Sequence, residues 1–156
     1  MTKFEKYHPI LTPHYTFDWL TKSRVKDVWL LQQQANPAET MLMTADMINQ
    51  TMRDIFHDQK LVWGITDRQT DQFIGSASLT ALTTATPRLT VHLITAQATT
   101  AALTEIYTRL TAFATNELGV ATLTVPLTPT DQLSTPILTK LGYQPDATQP
   151  LNVTLN

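Results

Sequence analysis

The spacing of apolar residues changes once near the middle of the chain, and that change limits the folds open to it. From Leu61 to Thr95, apolar residues fall in three short runs, Leu61–Thr66, Gln72–Leu82 and Leu89–Thr95. Alternation and β-branched content predict strands, each with one face in a core. Asp67–Asp71 is a polar turn, so the first two runs form an antiparallel hairpin with Gly75 inside the returning strand. From Thr99 to Leu118 the spacing lengthens: Leu103, Ile106/Tyr107, Leu110, Phe113/Ala114 and Leu118 fit one face of a helix of about five turns. Gly119 follows where a left-handed C′ residue belongs. Ala121–Leu127 (ATLTVPL) then reads as a buried strand. A strand, long helix and strand in that order predict a right-handed parallel crossover beside an otherwise antiparallel sheet.

The flanks add helices and edges. Residues 1–14 are an irregular lead-in broken by Pro9 and Pro13, and Tyr15, Phe17 and Trp19 alternate as a strand does. Ser23 is a candidate N-cap for a helix with Val25, Val28, Trp29 and Gln32 on one side, ended by Asn36-Pro37. Thr44 is a candidate cap for a second helix with a Met47/Ile48, Met52, Ile55/Phe56 stripe. Asp131 or Thr135 begins a short helix ending at Lys140-Leu141-Gly142, and Leu151–Leu155 is a final strand. The expected architecture is α/β (α+β), one domain over residues 1–156. Its mixed, mostly antiparallel sheet has about six or seven strands, with about four helices around it.

Composition removes several kinds of chemistry. The net charge is −2 and no basic cluster extends beyond Lys22, Arg24 and Lys26, so no phosphate track for nucleic acid is expected. The absence of cysteine excludes disulfides, a thiol nucleophile and Cys-ligated metals. His8, His14, His57 and His92 lack ligand spacing, so no metal is expected. No G-x-S-x-G, Walker or dinucleotide fingerprint occurs. Met1–Tyr7 has no apolar core of the signal-peptide kind, and no apolar run approaches the roughly 20 residues that cross a bilayer. A cytoplasmic protein with no membrane partner is expected. The many threonines between Thr80 and Thr139 alternate with aliphatic residues, which suits strands and argues against a low-complexity tract.

Two stretches carry a family resemblance. Leu61–Leu82, LVWGITDRQTDQFIGSASLTAL, is similar to the "W-x-I … x-I-G-x-x-x-L" pattern in GNAT N-acetyltransferases of the ribosomal-protein N-terminal (RimJ/RimL-like) branch. Asp131, Ser134, Lys140, Leu141, Gly142 and Tyr143 fall on that branch's "N-x-x-S-x-x-x-x-x-K-L-G-F". In element order the resemblance covers residues 15 to 156. It implies a GNAT fold, acetyl-CoA as a substrate with no metal, and an amine acceptor. The acceptor pocket would be built from the first two helices (Met41 to Phe56 in the second) and the loop Thr83 to Arg88, where nothing indicates which amine. A C-terminal sheet edge offers a surface for a homodimer.

An acetyl-CoA site needs backbone N–H groups at a helix N-terminus for the pyrophosphate, and an open strand edge for the pantetheine arm. Pro126 cannot donate to a neighbouring strand, so the strand holding it reads either as one side of a parting pair or as an ordinary strand end. The family loop Q/R-x-x-G-x-G/A falls on Gln97, Thr100 and Ala102 by residue identity. Counting back from Gly119 places it on Ala98, Ala101 and Leu103. Neither register holds a glycine, and the nearest basic residue along the helix is Arg109. The resemblance thus implies cofactor contacts at Leu93, Ile94 and Thr95, at Gln97, Ala98, Thr99, Thr100, Ala101 and Ala102, and at Asp131, which replaces the branch's asparagine.

The reacting groups implied are few. His92 is either a base for the amine or a packed strand histidine. Ser134 matches the family serine that would protonate the leaving thiolate, or it caps the last helix. Leu89 stands where the branch often has a Glu base, and Leu138 where other branches carry an acid tyrosine. Direct attack of an amine on the thioester requires no protein nucleophile, so an acetyltransferase is the leading reading. The alternatives are a non-catalytic GNAT-fold domain that binds acyl-CoA or another protein, and an unrelated ligand-binding α/β domain.

Overall fold

The computed structural model describes residues 9–56, 59–129, 131–145 and 152–155. Their elements are β1 (Ile10–Leu11), β2 (Tyr15–Trp19), α1 (Val25–Ala35), α2 (Met41–Phe56), β3 (Leu61–Asp67), β4 (Phe73–Thr80), β5 (Arg88–Leu93), α3 (Thr100–Ala112), β6 (Leu123–Pro126), α4 (Ser134–Lys140), β7 (Gln144–Pro145) and β8 (Asn152–Leu155). The strands form one sheet in the order β1-β2-β3-β4-β5-β6-β8-β7. Every pairing is antiparallel except β5 with β6, the two strands joined through α3. Eight strands stand where six or seven were expected, because β1 and β7 are two-residue edges too short to leave an alternation in sequence.

The hairpin is pinned by its turn. Asp67 Oδ1 accepts from the N–H groups of Gln69 and Thr70 at 2.8 and 3.1 Å, and Asp71 takes a left-handed φ of 60°. Beyond the turn, alternation divides the core in two. Leu61, Trp63 and Ile65 point to the α3 face, where Trp63 stacks on Trp19 (6.2 Å) and meets the edge of Phe113 (5.5 Å, 88°). Val62 points to the other face and packs with Leu20, Val28 and Ile48 under α1 and α2.

Several local expectations are corrected. Ser23 does not cap α1 with its side chain; it lies over Gly64, and a Cβ on Gly64 would collide with its Oγ. In α1 the buried residues are Val28 and Leu31, whereas Val25 is exposed and Trp29 is half-buried, donating from Nε1 to Glu39 O at 2.9 Å. Helix α2 begins at Met41 with Thr40 Oγ1 accepting from Met43 N, so Thr44 is interior and buried, donating to a Glu39 carboxylate oxygen. Its buried face runs through Thr44, Ile48, Thr51 and Ile55, and Met52 is exposed. The strand expected over Leu89–Thr95 ends at Leu93, and α3 passes into a π-turn over Phe113–Glu117 before Gly119 (φ 69°). His8, His57 and Leu151 lie outside the described residues.

Glu105 fastens the lead-in to α3. Its Oε2 accepts from Thr12 Oγ1 (2.5 Å) and from His14 N (2.8 Å), and its Oε1 meets His14 Nδ1 at 2.6 Å. Partial burial alone would raise the Glu105 pKa, but the hydrogen bonds from Thr12 and His14 and the His14 charge outweigh it and hold it below its ordinary value. A depressed carboxylate contributes stability that is complete above the unfolded pKa, about 4.3, and lost as pH falls through the folded pKa. Acid titration of unfolding should show Glu105→Gln losing less stability than the wild type below about pH 4. Parallel acid curves would contradict this.

Candidate active site

Strands β5 and β6 share one register pair, Arg88 with Thr124, backed by Thr124 N donating to Pro87 O at 3.0 Å, and then part. On its far side β6 stays paired with β8 through Pro126, so β6 leaves β5 while remaining in the sheet. Pro126 therefore lies on one side of a parting pair. Because Ile94 N donates back to Ile74 O on β4, alternation turns the backbone groups of Val91 and Leu93 into the gap.

The chain leaves β5 at Leu93, passes Ile94, forms a 3-10 turn over Thr95–Gln97, and reaches α3 through Ala98 and Thr99. Thr99 is the N-cap of α3, its Oγ1 accepting from Ala102 N at 3.1 Å. The N–H groups of Thr100 and Ala101 have no partner within the helix and point out of its first turn. None of residues 94–102 has a positive φ, so this path needs no glycine for its conformation. Arg109, the basic residue nearest in sequence, instead pairs with Glu117 at the far end of α3 (3.1 Å). Closer to the first turn is Lys140, which with Thr100, Thr104, Gln132, Leu133 and Ile137 lines a groove of about 230 Å³ between α3 and α4.

Ser134 does not cap α4. Asp131 does so, its Oδ1 accepting from Leu133 N (3.1 Å) and Ser134 N (3.0 Å). Ser134 is 1% exposed, and its Oγ lies 3.2 Å from the hydroxyl of Tyr107 on α3. Burial, partly opposed by this hydrogen bond, pushes the Tyr107 pKa up to about 12, so the phenol keeps its proton at neutral pH. Tyr107 reads in sequence as one more apolar helix position; only the packing of α4 across α3 reveals its hydroxyl's partner. Leu138 and Leu89 are fully buried in the core.

His92 lies apart from this pair. It stands opposite Ser76 on β4, and alternation from the buried Leu89 and Leu93 puts its side chain on the α1–α2 face. Partial burial lowers its pKa, which favours the neutral, proton-accepting imidazole. A second cleft, about 820 Å³, lies over β2 and β3 and includes Asp18, Lys22, Asp27 and Asp71, but no residue of β5. No group of three or more His, Cys, Asp or Glu gathers to hold a metal among the described residues, and no helix there is long and apolar enough to cross a membrane.

The domain profile described as acetyltransferase (GNAT) domain matches residues 9–144. The chain belongs to the GNAT acetyltransferase family. Among solved structures, this GNAT chain resembles a ribosomal-protein-S5-alanine acetyltransferase from Vibrio fischeri, with a TM-score of 0.76 and 10% identity over 94% of each chain. A spermidine N-acetyltransferase from Vibrio cholerae in complex with CoA and spermine has a TM-score of 0.73 and 10% identity, over 92% of this chain and 93% of that one. Mycobacterium smegmatis RimJ in complex with CoA-disulfide has a TM-score of 0.71 and 9% identity, over 90% and 81%. At these identities the likeness is one of fold. No curated protein matches the sequence.

Proposed function

We propose that this GNAT domain transfers an acetyl group from acetyl-CoA to a primary amine, a protein N-terminus or a small amine, in the manner of the RimJ/RimL-like branch. The observation that carries the reading is the single β5–β6 pair followed by a gap, with the first turn of α3 beside it. The gap is open to an extended arm, and the Thr100 and Ala101 N–H groups, with Lys140 nearby, suit phosphates. In this reading Gln97, Ala98, Thr99 and Ala102 shape the loop, while Leu93, Ile94 and Thr95 form the edge along which the arm lies. Asp131 acts on the cofactor indirectly, by setting the start of α4.

The two faces of β5 then divide the chemistry. The amine approaches from the α1–α2 face and attacks the thioester carbonyl, which a gap-facing backbone N–H polarises. Neutral His92, or a water beside it, takes the amine proton. Ser134, on the α3–α4 face and held by its hydrogen bond with Tyr107, gives a proton to the departing thiolate and regains one from solvent once CoA leaves. A second reading, passive acyl-CoA binding without turnover, is favoured by the placement of His92 and Ser134 on opposite faces of the sheet, with Ser134 only 1% exposed.

Thermal unfolding with added acetyl-CoA tests both. At about 100 times Kd the ligand should add ~2.7 kcal/mol of stability. No shift at millimolar acetyl-CoA would remove both readings, whereas a shift without acetylation of any amine would leave the second.

A further inference from the structure

The end of α1 reaches into the gap. The Gln34 side chain makes a two-point contact with the exit of β5: Nε2 donates to Leu93 O at 3.1 Å, and Oε1 accepts from Thr95 N at 2.9 Å. The Thr95 hydroxyl donates to the same oxygen at 3.3 Å. A carboxamide with its N–H on one backbone carbonyl and its C=O on the N–H two residues later presents, on one side, the donor and acceptor that a strand residue presents through its own N–H and C=O, which belong to two peptide groups. It is how an added strand would meet this edge. Leu93 O faces the gap, since the N–H of Ile94 is the group turned back toward β4.

Gln34 is otherwise an exposed residue near the helix end, and no packing demand explains it there. We propose that Gln34 is a displaceable stand-in for the amide N–H and C=O groups of the acyl-CoA arm. It keeps the Leu93 C=O and Thr95 N–H paired when the gap is empty and competes for them when the arm enters. The inference rests on the acyl-CoA reading above, because the pantetheine arm is an extended chain bearing secondary amides. It adds that the chain itself tunes the affinity of this edge from α1, outside the phosphate loop. Removing Gln34 leaves only water to be displaced, so the arm should bind more tightly.

The test is calorimetric titration of wild type, Gln34→Ala and Gln34→Met with two probes. Coenzyme A carries the amide arm; adenosine 3′,5′-bisphosphate carries only the nucleotide end. Both variants should bind coenzyme A about three- to tenfold more tightly than wild type, the net worth of one neutral hydrogen bond, and should bind the bisphosphate equally well. In the ligand-free protein, hydrogen exchange at the Thr95 amide should be faster in both variants. Unchanged or weaker coenzyme A binding, an equal gain for both probes, or unchanged Thr95 exchange would each overturn the role of Gln34. Failure of wild type and both variants alike to bind coenzyme A would instead bring down the acyl-CoA reading, and this inference with it.

Discussion

Replacing Gly75 by alanine should destabilise the protein by about 3 kcal/mol, lowering Tm by roughly 6–12 °C for a chain of this size. A Cβ built at Gly75 would strike the backbone carbonyl oxygen of His92, with Leu93 Cα 2.7 Å away. These are backbone atoms of a paired neighbour, so relief requires moving β5 itself. The strand would move at Leu93, where the gap opens, and coenzyme A binding should weaken beyond what lost stability explains. Gly119 is the contrast: a Cβ there meets nothing within 4 Å, and only its φ of 69° is at stake. Gly119→Ala should therefore cost about 1 kcal/mol and leave binding unchanged. Thermal melts and coenzyme A titrations of the two variants check this, and equal losses would contradict it.

Ser134→Ala should lower kcat about a hundredfold with little change in coenzyme A affinity, the size expected for loss of one positioned proton donor. The side chain is buried at the start of α4 and touches the Tyr107 hydroxyl, while the backbone amide of residue 134 stays capped by Asp131. Removal of Oγ thus leaves the helix start in place and takes away only the hydroxyl. Tyr107→Phe should lower kcat less, since Ser134 keeps its own proton and loses a partner. Steady-state rates with affinities measured separately decide the matter. Unchanged kcat in Ser134→Ala would remove Ser134 from the chemistry.

The sheet was legible in the sequence because β3, β4 and β5 carry their signals locally: alternation, an Asp67–Asp71 turn and β-branched residues. The helix after them was legible for the same reason, although its last turn widens at Phe113. Gly75, read as part of a motif, has a plain physical cause in the close approach of β5. What stayed hidden depends on residues far apart in the chain. Gln34 meets Leu93 and Thr95 only after α1 folds over the end of the sheet. Tyr107 meets Ser134 only after α4 lies across α3, and Lys140 comes near Thr100 by the same packing. Two caps were misplaced for a related reason: Ser23 and Thr44 look like caps, but Ser23 lies over Gly64 and Thr44 is buried, and Thr40 serves α2; for α4 the sequence left Asp131, Ser134 and Thr135 open, and Asp131 serves it. Neither register of the phosphate loop holds a glycine. Its observed path has no positive φ, so the backbone takes this course without glycine, while the Thr99 hydroxyl holds the Ala102 N–H.

The most direct test of acetyl transfer is mass spectrometry of amine acceptors incubated with the protein and acetyl-CoA. The acceptors should include peptides with free N-termini and a polyamine. One acetyl group should be gained on a primary amine, matched by free thiol released from CoA, and both should be strongly reduced in Ser134→Ala. Saturable acetyl-CoA binding with no acetylated amine and no thiol release would contradict acetyl transfer, leaving a GNAT fold that holds its ligand without reacting.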